Sequence, residues 1–360
     1  MANKIIHSVF TLALSIVLLT ACNNNPAQNQ NTEKVHMAAI LPLTGNAAVA
    51  GEYSKNGLQL AIDEINANGG INGSLIDMTF NDSKGDAKEG VNLLMKANIG
   101  NTKPSIIYSQ LSNVSLAIKP ITERNNQILI GVSGALNLLD SSKNTLRNYI
   151  DPILFTADVA NSLKDSMKLS SISILYSNND FGRSIFTALE GNLAKVGITI
   201  DFKETYDEKA LDYKQLVLKL KNSKSKAVYV VGIGKSLGLV YKQLKEYSYS
   251  GKIFGGIETT LPDVKSTVGD MGKGINYFDF AYDPYGTSLQ SFTANYKKKF
   301  NVDPQMPAIL AYAFIYTLKN NYNSILKDGR NASNQSTSSF PIVQLKDGNF
   351  IHPIKLKEIK

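Results

Sequence analysis

From residue 35 onward, short runs rich in Val, Ile, Leu, Phe and Tyr alternate with segments whose apolar residues recur every three or four positions, and this rhythm restricts the fold most. The short runs fall at 35–41, 75–81, 105–108, 128–132, 171–176, 198–202, 227–231, 252–255, 276–281 and 342–345. Between the first two, Leu58, Ile62 and Ile65 share a helical face, and Gly69-Gly70 supplies the stop. Asp151-Pro152 pairs a capping carboxylate with proline at the first helical position, which predicts a helix to about Leu169. Asp212 is expected to cap a helix carrying Tyr213, Leu216, Val217 and Leu220. Strand and helix in alternation mean parallel sheets covered on both faces, an α/β fold.

A chain of 360 residues exceeds what one core supports, so two doubly wound lobes are expected. No Gly/Ser/Pro-rich linker divides them, which implies that the chain passes between lobes more than once, and such lobes can only hinge. The polar stretch from Asn331 to Ser339 reads as a surface loop before a final strand.

Several chemistries have little to draw on. One cysteine excludes a disulfide framework, a multi-cysteine metal site and a Cys-x-x-Cys redox pair. His7, His36 and His352 are the only histidines and are widely separated, so neither a histidine metal site nor a Ser-His-Asp triad is expected. Gly232-Ile233-Gly234-Lys235-Ser236 follows a strand and precedes a helix, as a phosphate-binding loop would. The first glycine of that motif is replaced by Tyr229, and the loop is left with too few amides. Asp180-Phe181-Gly182 imitates a kinase magnesium motif without a kinase catalytic loop elsewhere. Asp82 and Asp86 lack calcium-loop spacing and are expected to cap the next helix. With no acid–base pair, metal cluster or activated nucleophile at readable spacing, the chain is expected not to be an enzyme and to need no cofactor or metal.

The N-terminus points outside the cytoplasm. Residues 1–21 carry Lys4, a largely apolar run from Ile5 to Leu19 and small residues before Cys22, the pattern of an export signal. Leu19-Thr20-Ala21-Cys22 looks like the lipobox of bacterial lipoproteins, whose cysteine is acylated and becomes the first mature residue. Residues 22–34 are polar and are expected to tether a folded body to a membrane. Removing residues 1–21 lowers the formal charge from +8 to +7. The lysines are scattered through amphipathic helices, so they read as solvated surface and not as a nucleic-acid site.

In open α/β sheets, ligands bind beyond the carboxyl ends of the strands, where helix N-termini present free amides. Ser109 to Ser115 (SQLSNVS) follows such a strand and leads into a helix to about Arg124. Ser112 there either caps its own helix or helps to hold an anion, and the same groups serve both.

The blocks Ala39-Ile40-Leu41-Pro42-Leu43-Thr44-Gly45 and Asn56 to Gly73 (NGLQLAIDEINANGGING) resemble the branched-chain amino-acid-binding proteins of ABC transporters. Asn81-Asp82 with Asp86, and Asn179-Asp180-Phe181-Gly182, extend the resemblance over nearly the whole mature chain. It implies the type I periplasmic binding fold, with crossings near residues 153, 281 and 340. Lobe 1 would hold 35–153 and 282–339, and lobe 2 would hold 154–281 and 340–360. Ser112 matches the serine that receives the ligand carboxylate, and Ser115 lies in the same helix start. Ser133 and Ala135 fall where the family supplies further carboxylate and amino contacts. Phe181 stands for a tyrosine beside the motif glycine, and Glu258 matches the glutamate that pairs with the ligand ammonium. Alone, Glu258 would read as surface. Two family aromatics are replaced, by Ala50 and by Gly234, which should widen the pocket or leave it open.

The expected protein is therefore a monomeric solute-binding lipoprotein, periplasmic or on the cell surface and anchored through Cys22. It captures a small zwitterion, an amino acid with branched-chain ones among the candidates, and delivers it to an ABC permease. The alternative is a same-fold envelope lipoprotein acting as a regulator or scaffold.

Overall fold

The computed structural model describes residues 33–100, 102–280, 290–328 and 354–359. Among these, the strands form two sheets. The first contains β1 (Lys34–Leu41), β2 (Leu75–Asp82), β3 (Ile106–Gln110), β4 (Ile128–Val132) and β5 (Thr145–Arg147), all parallel, in the order β2-β1-β3-β4-β5. The connecting helices are α1 (Ala48–Ala67), α2 (Ala87–Ile99) and α3 (Ser112–Arg124).

Side chains alternate across this sheet as the pleat requires. Met37, Ala39 and Leu41 of β1, with Ile106, Tyr108, Ile128 and Ile130, face the side packed by Leu58, Ile62 and Ile65 of α1. Ala38, Ile40, Ile107 and Leu129 face the side packed by Leu94 of α2 and by Val114 and Ile118 of α3.

The chain leaves the first sheet at Arg147 and enters α4 (Pro152–Asp165), which packs on α5 (Asp180–Lys195) beside the second sheet. That sheet holds β6 (Ser171–Ser177), β7 (Thr199–Tyr206), β8 (Ala227–Val231), β9 (Lys252–Gly255), β10 (Ile275–Phe280) and β11 (Ile354–Glu358). Its order is β11-β10-β9-β8-β6-β7, parallel except for β11, which runs antiparallel to β10. Helices α4 and α5 cover one face through Val159, Leu163, Ile185 and Leu189. The other face is covered by α6 (Lys214–Asn222), α7 (Gly234–Glu246) and α8 (Pro262–Val268), through Leu216, Leu220, Val240 and Val264.

Two later helices, α9 (Gln290–Phe300) and α10 (Met306–Asp328), complete the first lobe. Helices α1 and α10 approach so closely that a Cβ on Gly57 would lie 2.2 Å from the Ala308 carbonyl oxygen. Glu64 of α1 ties both helices, accepting from Asn295, Tyr312 and Tyr316 at 2.9, 2.6 and 2.7 Å. The fold is thus the expected pair of α/β lobes.

Asp151 caps α4 by accepting from the amides of Ile153 and Leu154, and the helix ends at Asp165, short of Leu169. Asp86 caps α2 through the Glu89 amide. Asp82 does not cap that helix. Its carboxylate accepts from the amides of Leu43, Thr44 and Lys84 and from the Thr44 hydroxyl, fixing the loop between β1 and α1. These bonds favour the charged form and hold its pKa below the usual carboxylate range despite the opposing effect of burial. Asp212 is not the cap residue of α6, whose N-cap position is Tyr213, but it accepts from the Lys214 amide. The expected crossings near 281 and 340, the loop 331–339 and the strand at 342–345 lie outside the described residues, as do the export signal and Cys22. No helix among the described residues is long and apolar enough to cross a membrane.

Candidate functional site

The carboxyl ends of β3, β4, β5, β8 and β9 deliver the walls of a cavity between the lobes, of about 470 Å3 including its mouth. The first lobe contributes Ala50, Gln110, Leu111, Ser112, Val132, Gly134 and Tyr149, and the second contributes Phe181, Ile233, Glu258 and Leu261. Met306 and Pro307, at the start of α10, close one end. A second chamber of about 300 Å3 adjoins it across Tyr149, Phe181 and Glu258, and adds Phe155 and Tyr229.

Helix α3 begins at this cavity. Its N-cap position is Leu111, held at φ 80°, and no side chain among the described residues caps the helix. Ser112 therefore does not serve as the cap. Its hydroxyl lies on the cavity wall and accepts from the Ser133 hydroxyl at 3.1 Å. An N-terminus left with orphan amides carries partial positive charge, worth roughly half an elementary charge.

Glu258 lies at the opposite pole, in the short turn after β9, and is 7% exposed. Among the described residues its carboxylate has one side-chain partner, the Tyr149 hydroxyl, and no cation within ion-pair distance. Burial pushes its pKa above the usual glutamate range, with the Tyr149 bond opposing this. Tyr149 is itself pushed far up by burial and by the adjacent carboxylate, so it remains a proton donor. Two further buried polar atoms on these walls, Oε1 of Gln110 and the hydroxyl of Tyr229, have no hydrogen-bond partner among the described residues.

The remaining expected site residues sit less directly. Ser115, in the first turn of α3, is buried against β3, where its hydroxyl donates to Ser109 at 3.0 Å, and it does not line either chamber. Ser133 and Ala135 flank the wall instead of forming it. The Ser133 hydroxyl accepts from the Ala135 amide, and both of their carbonyls accept from Arg147. Between them Gly134 faces the ring of Phe181, and a Cβ there would come within 2.8 Å of it. The structure thus gathers Ser112, Phe181 and Glu258 around one cavity, with Ser133 and Ala135 as a support and Ser115 outside.

The two small residues at expected aromatic positions behave differently. Ala50 lines the cavity and joins the apolar cluster of the second lobe. Gly234 leaves no gap. It adopts φ +71°, and a Cβ on it would lie 2.1 Å from the backbone oxygen of Asn46, so the opposite lobe fills the space. The expectation of a wider pocket at this position is corrected by that contact.

Sequence reasoning missed Tyr149, Gln110, Arg147 and Tyr229. Gln110 could have been found, since it ends a strand at the ligand-bearing edge. Tyr149 and Tyr229 carry no local signal, and their role comes from the approach of distant segments.

Residues 34–325 match the model of a family described as periplasmic binding protein. Leu/Ile/Val-binding protein homolog 2 of Brucella abortus (strain 2308) is 24% identical over 287 residues, covering 79% of this chain and 76% of its own. Among solved structures, the branched-chain amino acid transporter substrate binding protein LivJ of Streptococcus pneumoniae, in complex with isoleucine, superposes with a TM-score of 0.72. It is 20% identical and covers 80% of this chain and 83% of its own. A solute binding protein of an R. palustris ABC transporter, in complex with benzoate, gives 0.75 at 15% identity, covering 91% and 93%. Two α/β lobes with a cleft at the strand ends, matched by a family model over most of the chain, lead to one assignment: the chain belongs to the periplasmic binding protein family, with the branched-chain amino-acid-binding proteins among its relatives.

Proposed function

We propose that this chain is an extracytoplasmic solute-binding lipoprotein that captures a small zwitterion, an amino acid, and delivers it to an ABC permease. The observation that carries the reading is the pair of opposite poles on one cavity. Lobe 1 offers Ser112 and the side-chain-uncapped start of α3, and lobe 2 offers the buried carboxylate of Glu258. An α-amino acid brings a carboxylate to the first and an ammonium to the second. The partnerless Gln110 Oε1 and Tyr229 hydroxyl can take further donors from the guest.

The mechanism is differential affinity. An open cleft offers one pole at a time, whereas a shut cleft offers both, so the guest shifts the hinge equilibrium towards closure. Micromolar capture of leucine needs about 8.2 kcal/mol, or roughly 0.9 kcal/mol for each of its nine heavy atoms, which is within the small-ligand ceiling of about 1.5. Acylation of Cys22 and a tether ending before β1 at Lys34 would hold the body at a membrane surface, and the chain would work as a monomer.

The test is calorimetric titration with L-leucine, L-isoleucine, L-alanine and benzoate, on the unaltered chain and on Glu258→Gln. Binding of an amino acid that the variant loses by a factor of ten or more supports the reading. Benzoate binding that Glu258→Gln leaves intact, with no amino acid bound, would replace the zwitterion by an aromatic acid. Absence of binding across the panel would favour the scaffold role.

A further inference from the structure

The two lobes also touch at the far edge of the cleft, through a residue outside either chamber. Asn46 lies in the loop before α1, on lobe 1. Its Oδ1 accepts from the Ser236 amide at 2.9 Å, and its backbone oxygen accepts from the Lys235 amide at 3.3 Å. Its Nδ2 donates to the Ile233 carbonyl at 2.9 Å and to the Ser236 hydroxyl at 3.2 Å. Ile233 is the N-cap position of α7 on lobe 2 and offers no side-chain oxygen, so a cap that helices ordinarily find next door arrives here from the other lobe.

The surroundings fit that purpose. The Asn46 loop is pinned to its own lobe by Asp82, which holds the amides of Leu43 and Thr44 and the Thr44 hydroxyl. Gly45, at φ +90°, turns the chain outward immediately before Asn46. On the receiving side only glycine at 234 permits the approach, because any Cβ would collide with the Asn46 oxygen. The Gly-Ile-Gly-Lys-Ser segment that imitates a phosphate loop therefore has its helix amides taken by an asparagine.

We propose that Asn46 is a closure latch, an N-cap supplied in trans to α7, which holds part of the population shut before any guest arrives and so sets affinity without touching the guest. The inference rests on the reading of the cleft as a hinged capture site. Opening the hinge strips α7 of its cap, and shutting it restores four hydrogen bonds between protein groups whose strength does not depend on what is bound. Asn46 is thus a positioning residue for the binding cycle.

The experiment measures the lobe-to-lobe distance distribution by pulsed electron spin resonance, without added solute. Labels are placed through Lys88→Cys on α2 and Ser266→Cys on α8, in the full chain carrying Cys22→Ser. Asn46→Ala should lower the closed-to-open ratio by about fivefold, the typical effect of losing a cap. Asn46→Asp, which keeps the acceptor for the Ser236 amide, should lower it less. Circular dichroism should show both variants folded. An equal ratio in the unaltered chain and Asn46→Ala overturns the latch, and so does a complete absence of closed molecules in the unaltered chain. Addition of L-leucine or benzoate separates the two ideas. If neither changes the distances, the capture reading fails while the solute-free comparison still decides the latch.

Discussion

Arg147 is a buried guanidinium, 2% exposed, at the end of β5. Its two terminal nitrogens donate to the carbonyls of Ser133 and Ala135 at 2.6 and 2.7 Å, while Nε has no partner among the described residues. Replacing it by methionine keeps the stem and removes the fork. Hydrogen bonds to a charged group contribute about 1.5–3 kcal/mol each, so the two bonds amount to roughly 3–6 kcal/mol gross. Against this stands the cost of burying the guanidinium, which pulls its pKa down, with Asp151 and Asp140 opposing at longer range. Methionine also leaves two buried carbonyls to find water. The expected net loss for Arg147→Met is about 2–4 kcal/mol. Arg147→Lys, one ammonium in place of a planar fork, should lose about half as much. Urea unfolding followed by circular dichroism measures both, and the m-value should stay constant. A loss under about 0.5 kcal/mol for the methionine variant would refute the view that the wall from Ser133 to Ala135 is held from behind by this side chain.

Glu258→Gln should change the pH dependence of stability with a definite sign. The folded chain retains the Glu258 proton at pH values where the unfolded chain, titrating at about 4.3, has already lost it. Stability is therefore lost as pH rises through the window between those two values, and glutamine removes the loss. In calorimetric melts at pH 4, 5.5 and 7, the variant should gain on the unaltered chain as pH rises. Asp82 and Glu123, both held below the usual range by hydrogen bonds that outweigh burial, contribute the opposite slope in both proteins and cancel in the difference. Asp151→Ala should cost about 1 kcal/mol in a urea midpoint measurement, because it removes the acceptor for the first amides of α4.

The alternation of strand and helix was legible because each core strand shows both faces to apolar helices, as Ala38 and Ala39 do in β1. Two strands escaped it for different reasons. β5 spans only Thr145 to Arg147, too short to show a period, and β11 carries alternating lysines on an antiparallel edge. At the site, Ser112 was legible from its place after a strand and at a helix start, Glu258 was reached only through resemblance, and their pairing across a single cavity required the fold. Local pattern could not anticipate Asn46, since its partners lie 187 and 190 residues away. Asp82 shows the same limit. Its position after a strand suggested a helix cap, yet three of its bonds run back 38 and 39 residues to the β1 loop.

The late return of α10 to the first lobe bears on how the molecule is made. The helix that seals α1, through Gly57 against Ala308, comes from residues 306–328, some 250 positions further along. A chain emerging from a ribosome or a translocation channel therefore cannot finish the lobe it starts first. The half begun second can complete its inner strands earlier, and the face of α1 around Gly57 and Glu64, opposite the one packed on the sheet, stays uncovered until residues 306–328 have appeared.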